Sequence, residues 1–136
     1  MPREIGDTEY QRLLLFRTGL RRFHHWSAQQ AEAVGLTPAQ HQLLLAIRGH
    51  QDSRGPTIGD AAGYLYLRHH SAVGLVDRAE AAGLVERLED QDDRRVVRLR
   101  LTPKGMGTLT QLSQAHLEEL TRLAPELRAL WAGLEV

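Results

Sequence analysis

The chain has 136 residues, enough for one domain or for a small domain with extensions, and its 42% apolar content is ordinary for a folded protein. Its net charge is zero, so a role with nucleic acid has to come from local clustering of cations and not from bulk charge. There is no cysteine, which excludes disulfides, thiolate metal sites and thiol redox sensing; no run is apolar enough for a membrane span or a signal peptide, so a cytoplasmic protein is expected.

In chain order, residues 1–7 carry no pattern. A long helix is predicted from Thr8 to Val34. Leu13, Phe16, Leu20 and Phe23 recur at steps of three and four, a seam suited to a second helix. So much apolar surface on one helix of a short chain calls for a partner chain, although capping of its own domain is the blander alternative. Gly35 breaks this helix. Thr37-Pro38-Ala39-Gln40 opens the next, with Thr37 as N-cap, Pro38 at the first helical position and Gln40 at the capping-box position. Leu43, Leu44 and Ile47 are its core stripe, and it ends near Gly49 before a polar loop from Gln51 to Pro56.

Thr57 caps a short helix whose stripe is Ile58, Ala61, Ala62 and Leu65, with Asp60 near the free N–H groups. Leu65-Tyr66-Leu67 turns the chain. A helix from Arg68 to Ala82 follows, stopped by Gly83. Ala72, Leu75, Val76 and Ala79 face inward, and His69, His70, Val73, Gly74 and Asp77 face out. Two strands are predicted, Leu84–Glu89 and Val96–Leu101. Between them the tip from Asp90 to Arg95 is too polar to bury. Thr102-Pro103 starts another helix to about Ala124, carrying Leu109, Leu112, Ala115, Leu120 and Leu123. Pro125 is expected to interrupt it before a last helix with Leu127, Leu130, Trp131 and Leu134.

The centre of the chain therefore reads as a helix-turn-helix followed by a strand–loop–strand wing. Five cations and no acid lie between Arg94 and Lys104. A helix of groove size beside a basic hairpin points to a reader of double-stranded DNA. The start of the second helix, Arg68, His69 and His70, is placed to donate to phosphates or base acceptors; a merely solvated helix start is the alternative for the two histidines. Val73 suits a thymine methyl, and Gly74 suits close backbone approach. Arg78, Arg94, Arg98 and Lys104 are expected to hold phosphates.

The run GLVDRAEAAGLVERLEDQDDRRVVRLRLTPKG resembles the multiple-antibiotic-resistance regulator (MarR) family of winged-helix regulators. The family's wing signature, Asp-x-Arg followed by Leu-Thr and Gly, is matched by Asp93-Arg94-Arg95, Leu101-Thr102 and Gly105, and the likeness extends upstream to Gly35–Gln40. Gly74 departs from the pattern, because many members carry a polar or basic residue there. The resemblance implies a mainly α fold with a small β wing and long terminal helices that interleave in a homodimer. The corresponding division is residues 1–34 as an N-terminal dimerisation helix, 35–102 as the winged helix-turn-helix, and 103–136 as C-terminal dimerisation helices. It also implies that Arg95 enters a minor groove, held by Asp93, and that the dimer reads a near-palindromic operator. The outcome expected is repression relieved by a small aromatic or anionic effector. Arg22, Phe23, His25, Trp26 and His41 offer the stacking surfaces and anion partners that such an effector needs; ordinary packing is the competing reading of Phe23, Trp26 and His41.

Other chemistries lack their residues. Ser27, Ser53, Ser71 and Ser113 lie in no nucleophile elbow, and no Gly-rich loop follows a strand, so neither an enzyme nor a cofactor site is expected. His24-His25 and His69-His70 are neighbours about 100° apart on a helix and form no two-ligand face. Asp90, Asp92 and Asp93 lack the terminal Glu of a calcium loop. The competing class is a winged-helix protein-interaction module without a DNA role.

Overall fold

The computed structural model describes residues 1–132. Its elements are α1 (Asp7–Ala33), α2 (Pro38–Gly49), α3 (Ile58–Leu65), α4 (His69–Ala81), β1 (Val85–Glu89), β2 (Val97–Leu101) and α5 (Pro103–Ala132). The fold is mainly α with one small antiparallel hairpin, as the sequence predicts. Leu134 lies outside the described residues.

The caps form as their residue types require. Thr37 Oγ1 accepts from the Gln40 N–H at 3.1 Å while the Gln40 side chain accepts from the Thr37 N–H at 3.0 Å. Thr57 and Asp60 repeat the exchange at 3.0 Å in both directions. At the other ends, Gly35 (φ 83°) and Gly83 (φ 75°) close α1 and α4. In α4 the Gly83 N–H reaches the Glu80 carbonyl at 2.9 Å and the Leu84 N–H reaches the Ala79 carbonyl at 3.0 Å, a Schellman closure that delivers Leu84 into the core.

The core gathers Leu43, Leu44, Leu75, Val76, Ala79, Leu84, Val85, Leu99, Leu109 and Leu112. It joins α2, α4, both strands and the first turns of α5. The hairpin pairs Val85 with Leu101 and Arg87 with Leu99. On its free side β2 also meets the segment before α3, where the Leu99 N–H donates to the Pro56 carbonyl at 2.8 Å. Gly55 makes that approach possible: its φ is 91°, and a Cβ there would sit 2.3 Å from the Leu99 carbonyl oxygen.

One expectation about α5 is overturned. The helix does not break at Pro125 but runs through it to Ala132. Proline removes one rung of the ladder, the bond to the Thr121 carbonyl. Thr121 and Pro125 are both exposed, so water can take the freed acceptor.

Apart from Ala31 of α1 and Leu109 and Leu112 of α5, the terminal helices lie largely outside this core. Among its described residues α1 buries only Ser27 and Ala31. Leu13, Leu14, Leu15, Leu20, Leu117, Leu120 and Leu127 are all exposed. Phe16 rests on Trp131 at 5.6 Å between ring centres, at the edge of a groove of about 700 Å³ between α1 and α5.

The start of α5 sets a sharp steric limit. A Cβ on Gly105 would stand 2.1 Å from the Leu84 carbonyl oxygen, whereas Gly107 in the same helix has open space around it. Gly105→Ala should therefore destabilise the fold by about 2–4 kcal/mol. Gly107→Ala should be neutral or stabilise by up to about 1 kcal/mol through helix propensity. Urea denaturation of the two variants checks this; equal midpoints would contradict the close approach.

Candidate nucleic-acid interface

The exposed face of α4 begins at Arg68, which sets its N-terminus without a side-chain cap. Arg68, His69 and His70 are exposed, and Val73 and Gly74 are half-buried behind them. Arg78 is exposed one turn further, and its guanidinium lies across Gly74: a Cβ there would be 3.3 Å from an Arg78 Nη. Gly74 thus opens space that Arg78 already occupies. Asp77, on the same face, is engaged from the wing. Arg87 on β1 donates to Asp77 at 2.6 Å and to Glu80 at 2.7 Å, fastening the hairpin to α4.

At the wing tip Arg95 is held by Asp93. The Arg95 Nε and Nη2 donate to the two carboxylate oxygens at 3.1 Å each, and the Arg95 N–H donates to the same carboxylate at 3.0 Å. The Arg95 side chain is nonetheless 91% exposed. The carboxylate takes one edge of the guanidinium, so the remaining N–H groups point away from the protein. The Arg95 side chain, then its backbone N–H, holds the Asp93 carboxyl below the usual carboxylate range. Arg94 is also exposed.

Two expected phosphate contacts are placed differently. The Arg98 side chain is only 15% exposed; its Nε donates to Asp90 at 3.2 Å and its Nη1 to the Gly55 carbonyl at 3.1 Å. Lys104 donates from Nζ to the Ala82 carbonyl at 2.9 Å, neutralising the C-terminal end of α4. Both cations brace the fold. Asp90 is a further correction: the sequence predicts a tip too polar to bury, yet this carboxylate is 5% exposed. It is buried because its charge is satisfied. It accepts the N–H groups of Asp92 and Asp93 at 3.2 and 3.1 Å besides Arg98, and Arg54 Nη1 approaches at 3.6 Å. Burial pushes the Asp90 carboxyl up, but the N–H groups of Asp93 and Asp92 and the Arg98 side chain outweigh it and leave it low. Asp52 is held far below its usual range, first by the Arg54 side chain. This clasp ties the wing tip to the loop before α3.

A second cluster forms where α1, α2 and α5 meet. Trp26 and His41 each lie 4.8 Å from the His116 ring, and Phe23 meets it edge-on at 5.9 Å. His116 Nδ1 faces the Leu112 carbonyl at 2.8 Å and must donate, so in the neutral ring Nε2 accepts from Ser27 Oγ at 2.7 Å. Burial, then the neighbouring His116, lowers the pKa of His41, which favours its neutral form. Of the residues proposed for an effector, Phe23, Trp26 and His41 are therefore together. Arg22 lines the α1–α5 groove instead, and His25 is exposed on α1. His116 was not singled out by the sequence. Its only signal was position, one turn after Leu112 on the apolar stripe. Among the described residues no His, Asp and Glu group suited to a metal ion is found.

The MarR family model matches residues 34–96. The uncharacterized HTH-type transcriptional regulator YsmB of Bacillus subtilis (strain 168) is 47% identical over 64 residues, covering 47% of this chain and 44% of its own. The transcriptional activatory protein BadR of Rhodopseudomonas palustris is 32% identical over 94 residues, covering 69% of this chain and 54% of its own. The chain thus spans about half the length of the curated relatives it matches. Among solved structures, a MarR family protein from Bacillus stearothermophilus has a TM-score of 0.77 at 23% identity, covering 96% of this chain and 94% of that one. An S. aureus MepR mutant bound to an oligodeoxyribonucleotide has a TM-score of 0.68 at 22% identity, with 96% and 94% covered. At these identities the likeness shows the fold.

The clasp has a pH signature. Asp52 and Asp90 have lowered folded-state pKa values, so their contribution to stability is present above about pH 4 and is lost as pH falls through the folded values. Asp90→Asn keeps the shape and removes the charge. Its melting temperature should lie below that of the unmodified chain at neutral pH, and the gap should close in acid. A gap that stays constant down to about pH 2 would contradict the clasp.

Proposed function

This chain belongs to the MarR family of winged-helix transcriptional regulators, whose model its residues 34–96 match, and on that premise we propose that it binds double-stranded DNA as a homodimer. The observation that carries this reading is Arg95, exposed at the wing tip and held outward by Asp93. A fixed guanidinium on a hairpin suits the minor groove, while the N-terminal turn of α4 suits the neighbouring major groove. Arg68, Arg78 and Arg94 are the exposed cations best placed to hold phosphates; Arg98 is committed within the subunit, and Lys104, though exposed, has one donor on the Ala82 carbonyl. His69, His70 and Val73 are the candidates for base edges. A wing used only for protein contacts has no need of this clamped arginine.

The homodimer is supported by the uncovered leucines of α1 and α5 and by the apolar groove between these helices. A two-fold pair of α4 helices would read a near-palindrome with half-sites about 10 base pairs apart. Regulation by a small aromatic or anionic effector is supported, on the aromatic side, by the stacking surfaces of the Phe23–Trp26–His41–His116 cluster, which sits where the terminal helices meet the reader. Release of DNA on effector binding, and hence repression, is the outcome proposed.

Arg95→Ala should weaken binding to a selected duplex by about 1–3 kcal/mol, and Asp93→Ala should weaken it less, through lost orientation of Arg95. Fluorescence anisotropy checks both, and unchanged binding of the Arg95 variant would remove the wing from the mechanism. For the assembly, Leu20→Glu places a charge in the α1–α5 groove. Light scattering should show a monomer or an aggregate; a soluble dimer of unchanged stability would place the interface elsewhere.

A further inference from the structure

Tyr66 is the one residue other than glycine with a left-handed backbone among the described residues, at φ 54° and ψ 41°. It closes α3 in the way that Gly35 and Gly83 close α1 and α4. The Leu67 N–H reaches back to the Ala62 carbonyl at 3.0 Å, as Leu36 does to Ala31 at 2.9 Å and Leu84 to Ala79 at 3.0 Å. The same closure therefore uses glycine twice and tyrosine once. A Cβ in this region crowds the following carbonyl oxygen, which is why glycine is the usual occupant. The side chain offers little packing to offset that strain, since Tyr66 is 97% exposed. A strained backbone carrying an uncovered aromatic ring points to a contact outside the subunit.

Its place in the fold identifies the contact. Tyr66 lies in the turn of the helix-turn-helix, between α3 and the N-terminus of α4. In such a motif the first helix crosses a DNA backbone and the second enters the major groove. The turn lies where that backbone borders the groove, just ahead of the exposed Arg68, His69 and His70. A phenol there is a neutral hydrogen-bond donor on a rigid arm, and tyrosine hydroxyls are among the groups that bind phosphate oxygens.

We propose that Tyr66 is a DNA-backbone contact, its hydroxyl donating to a phosphate oxygen at the edge of the major groove. The inference rests on the DNA-binding reading above. The ligand is the sugar–phosphate backbone of duplex DNA, so the contact positions the reader without selecting sequence.

The test uses the full chain with Tyr66→Phe and Tyr66→Gly. Two probes are needed: a duplex that the unmodified chain selects from a randomised pool, and an unrelated duplex. Tyr66→Phe should weaken binding to both by the same factor, about 10–150-fold, as for the loss of a hydrogen bond to a charged group. Tyr66→Gly should lose at least as much. The slope of log affinity against log salt should not change in either variant, because a neutral hydroxyl releases no counterion. Thermal melting of Tyr66→Gly should be unchanged or higher, since glycine relieves the backbone strain. Binding of both variants like the unmodified chain, while Arg95→Ala weakens, would overturn the proposal and leave the DNA reading intact. A loss confined to the selected duplex would make Tyr66 a base contact and overturn it also. A lower melting temperature for Tyr66→Gly would show that the ring is held within the subunit, against the proposal. If the unmodified chain binds neither duplex, the DNA reading and this inference fall together.

Discussion

The fold depends on one joint, where the backbone of Gly105 rests against the carbonyl of Leu84. Three parts of the fold meet there: the end of α4, the root of the wing and the start of the long C-terminal helix. The Thr102 N–H donates to the Leu84 carbonyl at 3.1 Å, and Thr102 Oγ1 donates to the Gly83 carbonyl at 2.6 Å while accepting the Gly105 N–H at 3.0 Å. Lys104 covers the Ala82 carbonyl at the C-cap of α4 from the same turn. A side chain at position 105 has no room. The Leu-Thr and Gly of the wing signature are thus the parts of a tight backbone contact, and their spacing follows from it.

The second constraint is electrostatic. Arg98 and Arg54 hold Asp90 and Asp52 between the wing and the loop before α3, and Arg87 holds Asp77 and Glu80 between the wing and α4. These pairs settle the hairpin from both sides and leave Arg94 and Arg95 as the arginines that the tip displays, with Arg95 the one clamped by Asp93. A hairpin of two five-residue strands is marginal alone. The close contact at Gly55 and the clasp at Asp90 turn it into a fixed arm.

Much of this was legible in the sequence because it is local. Thr37 with Gln40, Thr57 with Asp60, and Gly35 and Gly83 each act within one helical turn, so residue type and spacing suffice. The inward stripe of α4, Ala72, Leu75, Val76 and Ala79, was legible for the same reason. What escaped depends on partners distant in the chain. Arg98 and Arg94 look alike in sequence, and only the fold brings Gly55 and Asp90 to one of them. Asp90 reads as a solvated tip residue until its donors are in place. His116 meets Ser27 and His41 across two helix packings. Tyr66 sits where a turn was expected, but its left-handed backbone could not be inferred from tyrosine, a residue that rarely adopts it. Pro125 reads as a helix stop, and only its exposed surroundings show why the helix continues.

A two-fold reader is expected to lay its wings in minor grooves, and a hydroxyl-radical footprint on a bound duplex tests that most directly. Two protected minor-groove patches should flank a two-fold centre, outside half-sites about 10 base pairs apart. Protection confined to one side, without two-fold symmetry or without the flanking minor-groove patches, would contradict it.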